Sequence, residues 1–174
     1  MKTPMITKIL KTIDAISEYS GRITSWICVA IVVVLCYETF ARYLLDAPTV
    51  WAHVITMMMF GAICIMGLGY VERYGSHIRV DVVYRFFSPR VKAIVDVLQT
   101  IILLLPLLYY LLKVSIFWMI AAWAEHEVVR QSTWFPHAGP LRTVVVLGIA
   151  IYTLQSLGTL TRNILFLVKG ERND

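Results

Sequence analysis

The sequence has little charge for its length. Asp, Glu, Lys and Arg make up only 16% of its 174 residues, whereas about 25% is usual in a soluble domain. Hydrophobic residues make up 59% of the chain, against roughly 45–50% in soluble proteins. This composition excludes a water-soluble monomer and favours several membrane spans, because each span needs about 20 apolar residues to cross the hydrocarbon core.

The sequence also lacks the residue patterns of enzymes. Its cysteines form no CxxC or CxxCH pattern and are predicted to be small packing residues: Cys28, Cys36 and Cys64. No Walker loop, GxSxG or HExxH sequence occurs. We therefore predict that the chain is not an enzyme.

Histidines are too few for haem ligation, which needs two of them at matched depth in facing helices. His53 has no such counterpart in another span. Two interpretations remain for His53, His126 and His137, which fall on the same predicted side of the membrane. They are histidines of the membrane interface or ligands of a peripheral metal, although their spacing matches no standard motif.

Four apolar runs predict four transmembrane helices in an all-α integral membrane protein, at about residues 23–45, 50–71, 93–119 and 141–166. The connection from Asp46 to Thr49 is short, so the first two spans should form a tight antiparallel hairpin. The chain is thus predicted to divide into three parts: residues 1–22, a transmembrane domain over 23–169 and a tail over 170–174.

Basic residues are distributed unevenly among the connections. Most lie in the N-terminal segment, in the loop around residues 72–92 or after the fourth span, which all fall on one side. The opposite side keeps Arg42, Arg130 and Arg142. The positive-inside rule then predicts that both termini are cytoplasmic. Because the basic residues are spread along the membrane, the net charge of +5 does not indicate nucleic-acid binding.

Two segments outside the spans have the period of amphipathic helices. Ile6, Ile9, Ile13 and Ile16 recur at helical spacing among charged residues, which predicts a helix in the cytoplasmic interface over residues 3–20. The loop after span two repeats the pattern, with a solvated segment as the alternative, at Ile78, Val82, Val83, Phe86 and Phe87. Predicted membrane-interface anchors are Trp26, Trp51, Arg79 and Arg85.

Charged residues inside spans are costly and are candidates for a function. Glu38 and Arg42 are four residues apart and share a helix face, and Lys113 lies at similar depth in the third span. We hypothesise that these three residues form an inter-helix charge cluster. The alternative is that each extends separately to the outer interface. Small proton or drug transporters also use a membrane carboxylate, which must gain and lose a proton near neutral pH. Pairing with Arg42 would keep Glu38 ionised and therefore argues against that role.

Two further polar sets are candidates for contacts with other helices or proteins. A stripe along one face of span four predicts helix packing, within this chain or against a partner subunit, at Gly148, Tyr152, Gln155, Thr159 and Arg162. The loop before span four is the largest polar surface on the outer side. It is either a docking surface for a soluble partner or a segment that re-enters the bilayer, and its residues include Glu125, Glu127, Arg130, Trp134 and His137.

Several short motifs run through the four spans in a fixed order. They are Glu38-x-x-x-Arg42-Tyr43, Pro48-x-x-Trp51, Gly69 with Gly75-Ser76-His77-Ile78-Arg79-Val80-Asp81, Pro136 with Pro140, and Gln155. With them the chain resembles, from Ile23 to about Arg162, the small membrane subunit (DctQ-type, or Q) of tripartite ATP-independent periplasmic (TRAP) transporters. It departs from that family at His53, near a place where an acidic residue often follows the tryptophan.

The resemblance implies a noncatalytic subunit that transports nothing alone. Such subunits pair with a much larger membrane subunit, M, which holds the substrate and sodium sites and moves by an elevator motion. A periplasmic substrate-binding protein, P, delivers an organic acid. The chain is then expected in the bacterial inner membrane, bracing M and helping P to dock, with no cofactor of its own. The alternative function is a free-standing small four-helix transporter or a membrane redox anchor subunit.

Overall fold

The computed structural model describes residues 4–74, 88–130 and 134–169, and most of them are helical. The α-helices are α1 (Pro4–Leu44), α2 (Trp51–Arg73), α3 (Pro89–Gln99), α4 (Leu105–Ala124) and α5 (Gly139–Lys169). A π-helical turn, Thr100–Leu104, joins α3 to α4. Within the described residues, four segments are long and apolar enough to span a membrane: Lys8–Leu44, Trp51–Arg73, Arg90–Ala124 and Gly139–Val168. The predicted all-α membrane fold with four spans is confirmed.

Helix α1 joins the N-terminal segment to the first span without a break. Its 41 residues extend for about 60 Å, roughly twice the thickness of the hydrocarbon core. Three polar residues of this part of α1 are buried: Ser17, Ser20 and Thr24. One face of the predicted interfacial helix therefore packs inside the bundle. The second predicted amphipathic helix, at residues 78–87, lies outside the described residues.

Helices α2 and α5 form the centre of the bundle and run in the same direction. Helix α1 packs against both, whereas α3 and α4 pack against α5. At one end, which we call the hairpin end, α1 and α4 finish and α2 and α5 begin. At the other, the terminal end, α1 and α3 begin and α2 and α5 finish. Helices α1 and α4 are connected through α5 and make at most marginal contact with each other.

Two glycines allow α2 and α5 to approach closely. A Cβ atom added at Gly148 would stand 3.0 Å from the backbone carbonyl carbon and oxygen of Ile65. One added at Gly69 would stand 2.8 Å from Cγ2 of Ile151. Small residues at helix crossings are the usual means of close packing in membranes, where no hydrophobic effect drives the helices together.

The connection between α1 and α2 is the tight hairpin that the sequence predicts. Asp46 adopts a left-handed conformation with φ of 50°, and the Ala47 amide donates to the Ala41 carbonyl at 3.0 Å. This bond spans six positions and encloses a left-handed residue, the backbone conformation that commonly ends a helix. It stops α1 and turns the chain directly into α2.

The π-helical turn lies one turn before Pro106. A proline lacks an amide hydrogen and its ring clashes with the carbonyl four residues earlier in an α-helix. Here the Leu105 amide donates instead to the Thr100 carbonyl, five residues back, which widens the turn beside the proline. The third span therefore continues through Pro106 instead of breaking at it.

Candidate functional site

The candidate site is a group of polar side chains near the terminal end, which we call the inter-helix cluster. It comprises Asp14, Ser17, Glu18, Arg73, Gln155 and Arg162. They come from α1, α2 and α5, the three helices that meet there. Each side chain is buried or partly buried, so their hydrogen bonds are worth more than those of fully exposed pairs.

The Asp14 carboxylate lies at the centre of the cluster. Its Oδ2 accepts from Arg162 at 2.5 Å, and its Oδ1 accepts from the Gln155 side-chain amide at 3.1 Å. The Gln155 Oε1 in turn accepts from the Ser17 hydroxyl at 2.8 Å. Both Gln155 and Ser17 are fully buried, at 0% exposure. This chain of bonds fastens α1 to α5.

Glu18, one turn further along α1, binds the end of α2. Its carboxylate accepts from Arg73 at 2.5 Å and from the Tyr74 hydroxyl at 2.8 Å. The hydrogen bond to Glu18 is the largest cause that raises the pKa of Tyr74 to about 12. Arg73 also donates to the Asp14 backbone carbonyl at 3.0 Å, which links the Glu18 and Asp14 parts of the cluster.

An open groove of about 440 Å³ runs beside the cluster. It is lined by Lys11, Asp14, Ala15, Glu18, Tyr19, Arg22 and Arg73. Its carboxylates are already bonded to arginines, and Arg22 is largely exposed at 3.2 Å from Glu18. Within the described parts of the chain, no three His, Cys, Asp or Glu side chains are grouped as metal ligands. The cluster thus connects helices and presents no set of free ligands.

At the hairpin end, Glu38 connects α1 to the start of α2. Its Oε1 accepts from Arg42 at 2.6 Å, and its Oε2 accepts from the amide and the hydroxyl of Thr49. Trp51 stacks on Tyr37, with ring centroids 5.8 Å apart. The structure therefore brings together the first-span motif and the Pro48-x-x-Trp51 motif, and both belong to the hairpin.

Lys113 does not join that pair. It lies on α4, is exposed and forms no hydrogen bond or ion pair with any described residue. Helix α4 packs against α5 and not substantially against α1. The hypothesised cluster of Glu38, Arg42 and Lys113 is thus formed only in its first two members, because α5 separates the helices that carry them.

The stripe on α5 faces this chain's own helices at three of its five positions. Gly148 contacts Ile65, whereas Gln155 and Arg162 both bind Asp14. Tyr152 and Thr159 are half-buried on the same helix. Of the two predicted uses of the stripe, the structure shows packing within the bundle.

The loop before α5 folds back on itself at the hairpin end. Glu127 and Ala138 are joined by a backbone hydrogen bond of 2.8 Å, and Val128 pairs with His137 as an isolated bridge. The Glu127 carboxylate forms an ion pair of 2.5 Å with Arg142, so it holds the loop against α5. The other predicted docking residues are exposed: Glu125, Arg130, Trp134 and His137.

The remaining predicted sites are placed as follows. Of the three outer histidines, His126 and His137 come together with ring centroids 6.1 Å apart, whereas His53 is exposed near the start of α2. The predicted anchor Trp26 is 74% exposed on α1. The anchors Arg79 and Arg85 lie outside the described residues.

The α1 and α2 members of the cluster are not among the site residues that the sequence predicts. Asp14, Ser17 and Glu18 recur at helical spacing, and this signal was present in the sequence. Within the predicted interfacial helix this spacing indicates a solvated face, because a polar stripe has the same period whether it faces water or another helix. Of the isoleucines expected to face the membrane, Ile9 and Ile16 are exposed, whereas Ile13 is half-buried and lies beside Gly158 of α5.

Taken together, the fold and the site define a helical membrane protein in which polar side chains of α1, α2 and α5 bind one another. Among family models, that of the tripartite ATP-independent periplasmic transporters, DctQ component, matches residues 31–166. The chain belongs to this family, and the resemblance seen in its motifs is confirmed. It is a small permease subunit of a TRAP transporter. No curated protein and no solved structure gives a significant match.

Proposed function

We propose that the chain is the noncatalytic small membrane subunit of a sodium-driven TRAP transporter for organic acids, and that it braces M as part of the fixed scaffold. The inter-helix cluster is the observation that carries this proposal. It bonds α1, α2 and α5 to one another through Asp14, Glu18 and their partners. A subunit that holds its shape while a neighbour moves requires cross-links between helices of this kind.

The polar groups within the spans support bracing better than transport. Glu38 is engaged by Arg42 and Thr49, and Gln155 uses both ends of its amide within the chain. Transport sites instead expose backbone and side-chain ligands to a cavity, usually at broken helices. We therefore assign the solute and sodium sites to M and no cofactor to this chain.

The hairpin end is the side on which P would dock. The basic residues favour a cytoplasmic terminal end, which places the hairpin end in the periplasm of a bacterial inner membrane. There the loop before α5 exposes Arg130, Trp134 and His137 while Arg142 fixes its base through Glu127. A loop fixed at its base and polar at its surface is suited to a transient contact with a soluble protein.

The test is to purify the tagged chain after expression with M, and to reconstitute the product with P in proteoliposomes. We expect a stable complex with M and solute uptake that needs a sodium gradient, P and both membrane subunits. A chain that forms only a homodimer and transports by itself would support the free-standing transporter instead. A bound haem or flavin would support the redox anchor.

The bracing role has its own test within that system. Arg162→Met removes one cross-link of the cluster without touching the exposed surface of α1 or α4. We expect slower uptake at unchanged recovery of M. Arg22→Met is the matched control, because Arg22 is largely exposed and adds only a weak pair to Glu18. Equal uptake by the two variants would overturn bracing through the cluster.

A further inference from the structure

Lys113 is a charged residue inside a span, and none of the residues that the structure describes is its partner. It is exposed on α4 and forms no ion pair or hydrogen bond with the residues that the structure describes. By helical rise it lies about 8 Å before Trp118 and about 18 Å before Glu125, the residue that ends the helix. A lysine at that depth is costly unless an anion or water reaches it.

The direction of the Lys113 side chain makes it unfavourable for the ammonium group to reach the membrane interface at the hairpin end. Side chains on an α-helix lean towards its N-terminus. For α4, that direction leads away from Trp118 and the nearer interface, and further into the span. The ammonium group therefore has to turn back along its own helix to reach the headgroups at the hairpin end, and this weakens the explanation by snorkelling.

Lys113 also points away from the rest of the chain. The buried residues of α4 are Leu108 and Ala122, which pack towards α5. At about 100° per residue, both lie roughly 140–180° around the helix from Lys113. The surface that carries Lys113 is therefore the outer face of α4, which no helix among the described residues covers.

The same face carries two tyrosine hydroxyls. Tyr109 and Tyr110 lie one turn before Lys113 and are 63% and 64% exposed. Their rings contact each other edge to face at 5.7 Å, and neither hydroxyl bonds to a described residue. Phe117, one turn after Lys113, completes the face and is also exposed. An ammonium with two phenols is poorly matched to lipid chains and well matched to a carboxylate on a neighbouring helix.

A second copy of this chain does not supply that carboxylate. Glu38 is the acid at comparable depth from the hairpin end, and Arg42 and Thr49 already bind both of its oxygens. A carboxylate that pairs with Lys113 would therefore come from a different membrane chain.

We propose that the outer face of α4, defined by Tyr109, Tyr110, Lys113 and Phe117, docks a transmembrane helix of a different chain, and that Lys113 pairs there with an Asp or Glu. This inference rests on the proposed function, under which that chain is M. It assigns the contact to the third span and not to the polar stripe of α5, which already packs inside the bundle.

The test compares recovery of M by the unmodified chain with that by Lys113→Met, Lys113→Arg and, as a matched loss of charge, Lys8→Met. We expect Lys113→Met to recover at least about tenfold less M, and the other two to recover it normally. The isolated Lys113→Met chain should unfold at the same temperature as the unmodified chain or higher, since Lys113 forms no bond with a described residue. This separates loss of docking from loss of folding.

Other outcomes of these experiments would contradict the inference or support it directly. Normal recovery of M by Lys113→Met overturns the inference and leaves the proposed function intact. No recovery by the unmodified chain overturns both. In nanodiscs, a complex that depends on Lys113 only when phosphatidylglycerol is present identifies a lipid phosphate as the occupant and overturns the inference. Loss of self-association in Lys113→Met identifies a second copy of this chain as the occupant and also overturns the inference.

A charge reversal tests the pair directly. If Lys113→Glu recovers little M, and a single Asp→Lys or Glu→Lys change in M restores that recovery, the result supports the pair.

Discussion

Arg162 and Asp14, which lie 148 positions apart in the sequence, form an ion pair of 2.5 Å between the last helix and the first. Gln155, two turns before Arg162 on the same face of α5, binds the other oxygen of that carboxylate. The ends of the chain are thereby fastened to each other near the terminal end. The family match begins at residue 31, so it includes Gln155 and Arg162 but not Asp14.

Loss of this ion pair should destabilise the isolated chain. Arg162→Met is expected to lower the free energy of unfolding by about 2 kcal/mol, because it removes a hydrogen bond to a charged, partly buried carboxylate. Unfolding by sodium dodecyl sulfate, followed by tryptophan fluorescence in mild detergent, measures the change. Arg22→Met should cost less than about 0.5 kcal/mol, as exposed pairs do. Equal losses in the two variants would contradict the geometry of the cluster.

The α2–α5 contact should not tolerate a side chain at Gly148. A methyl group there would meet the Ile65 backbone, which cannot move aside as a side chain can. Gly148→Ala is expected to destabilise the chain by about 1–3 kcal/mol through overpacking. Gly61→Ala is the matched control, because nothing lies within 4 Å of an added Cβ there. The control should be neutral or stabilise by up to about 1 kcal/mol through helix propensity, and a similar loss in both would contradict the close contact.

Double-mutant cycles should separate the real partners of Glu38 from the hypothesised one. Glu38→Gln combined with Thr49→Val is expected to show a coupling energy of about 1 kcal/mol, because both oxygens of the carboxylate are used at the hairpin. Glu38→Gln combined with Lys113→Met should be additive, since the structure does not bring these residues together. A clear coupling in the second cycle would show that α1 and α4 meet.

Tyr74 should titrate later than an ordinary tyrosine. Its hydroxyl donates to Glu18, and this raises its pKa from 10.0 to about 12. A folded-state pKa raised above the unfolded value means that the bond stabilises the fold fully below pH 10 and loses this effect as the pH rises through about 12. Absorbance at the phenolate band, compared between the unmodified chain and Tyr74→Phe, isolates this group. Glu18→Gln should move its titration towards pH 10, and an unshifted curve would contradict the bond.

Several features could be predicted from the sequence because each depends on local chemistry. The four spans follow from apolar runs long enough to cross the membrane, and the hairpin from a connection too short for anything else. The pair of Glu38 and Arg42 follows from their four-residue spacing. The motif order was sufficient to identify the family that the family model then confirmed.

Other features required the positions of the helices. Lys113 and Glu38 lie at similar depth in their predicted spans, but depth alone does not say which spans are neighbours. In the structure both helices pack against α5 and not substantially against each other. The sequence likewise does not predict the π-helical turn before Pro106, because a proline in a span predicts a local adjustment of the helix but not its form.

The low charge and the four long apolar runs of the sequence together determined that this protein has four membrane-spanning helices, because only uncharged segments of that length cross the hydrocarbon core. Only the tertiary structure decided where the remaining polar residues act. Helical periodicity places Asp14, Ser17 and Glu18 on one face but leaves open whether that face meets water or another helix. The packing of α1 against α2 and α5 brings this face onto Arg73, Gln155 and Arg162, because buried polar groups are stable only when they bond to one another.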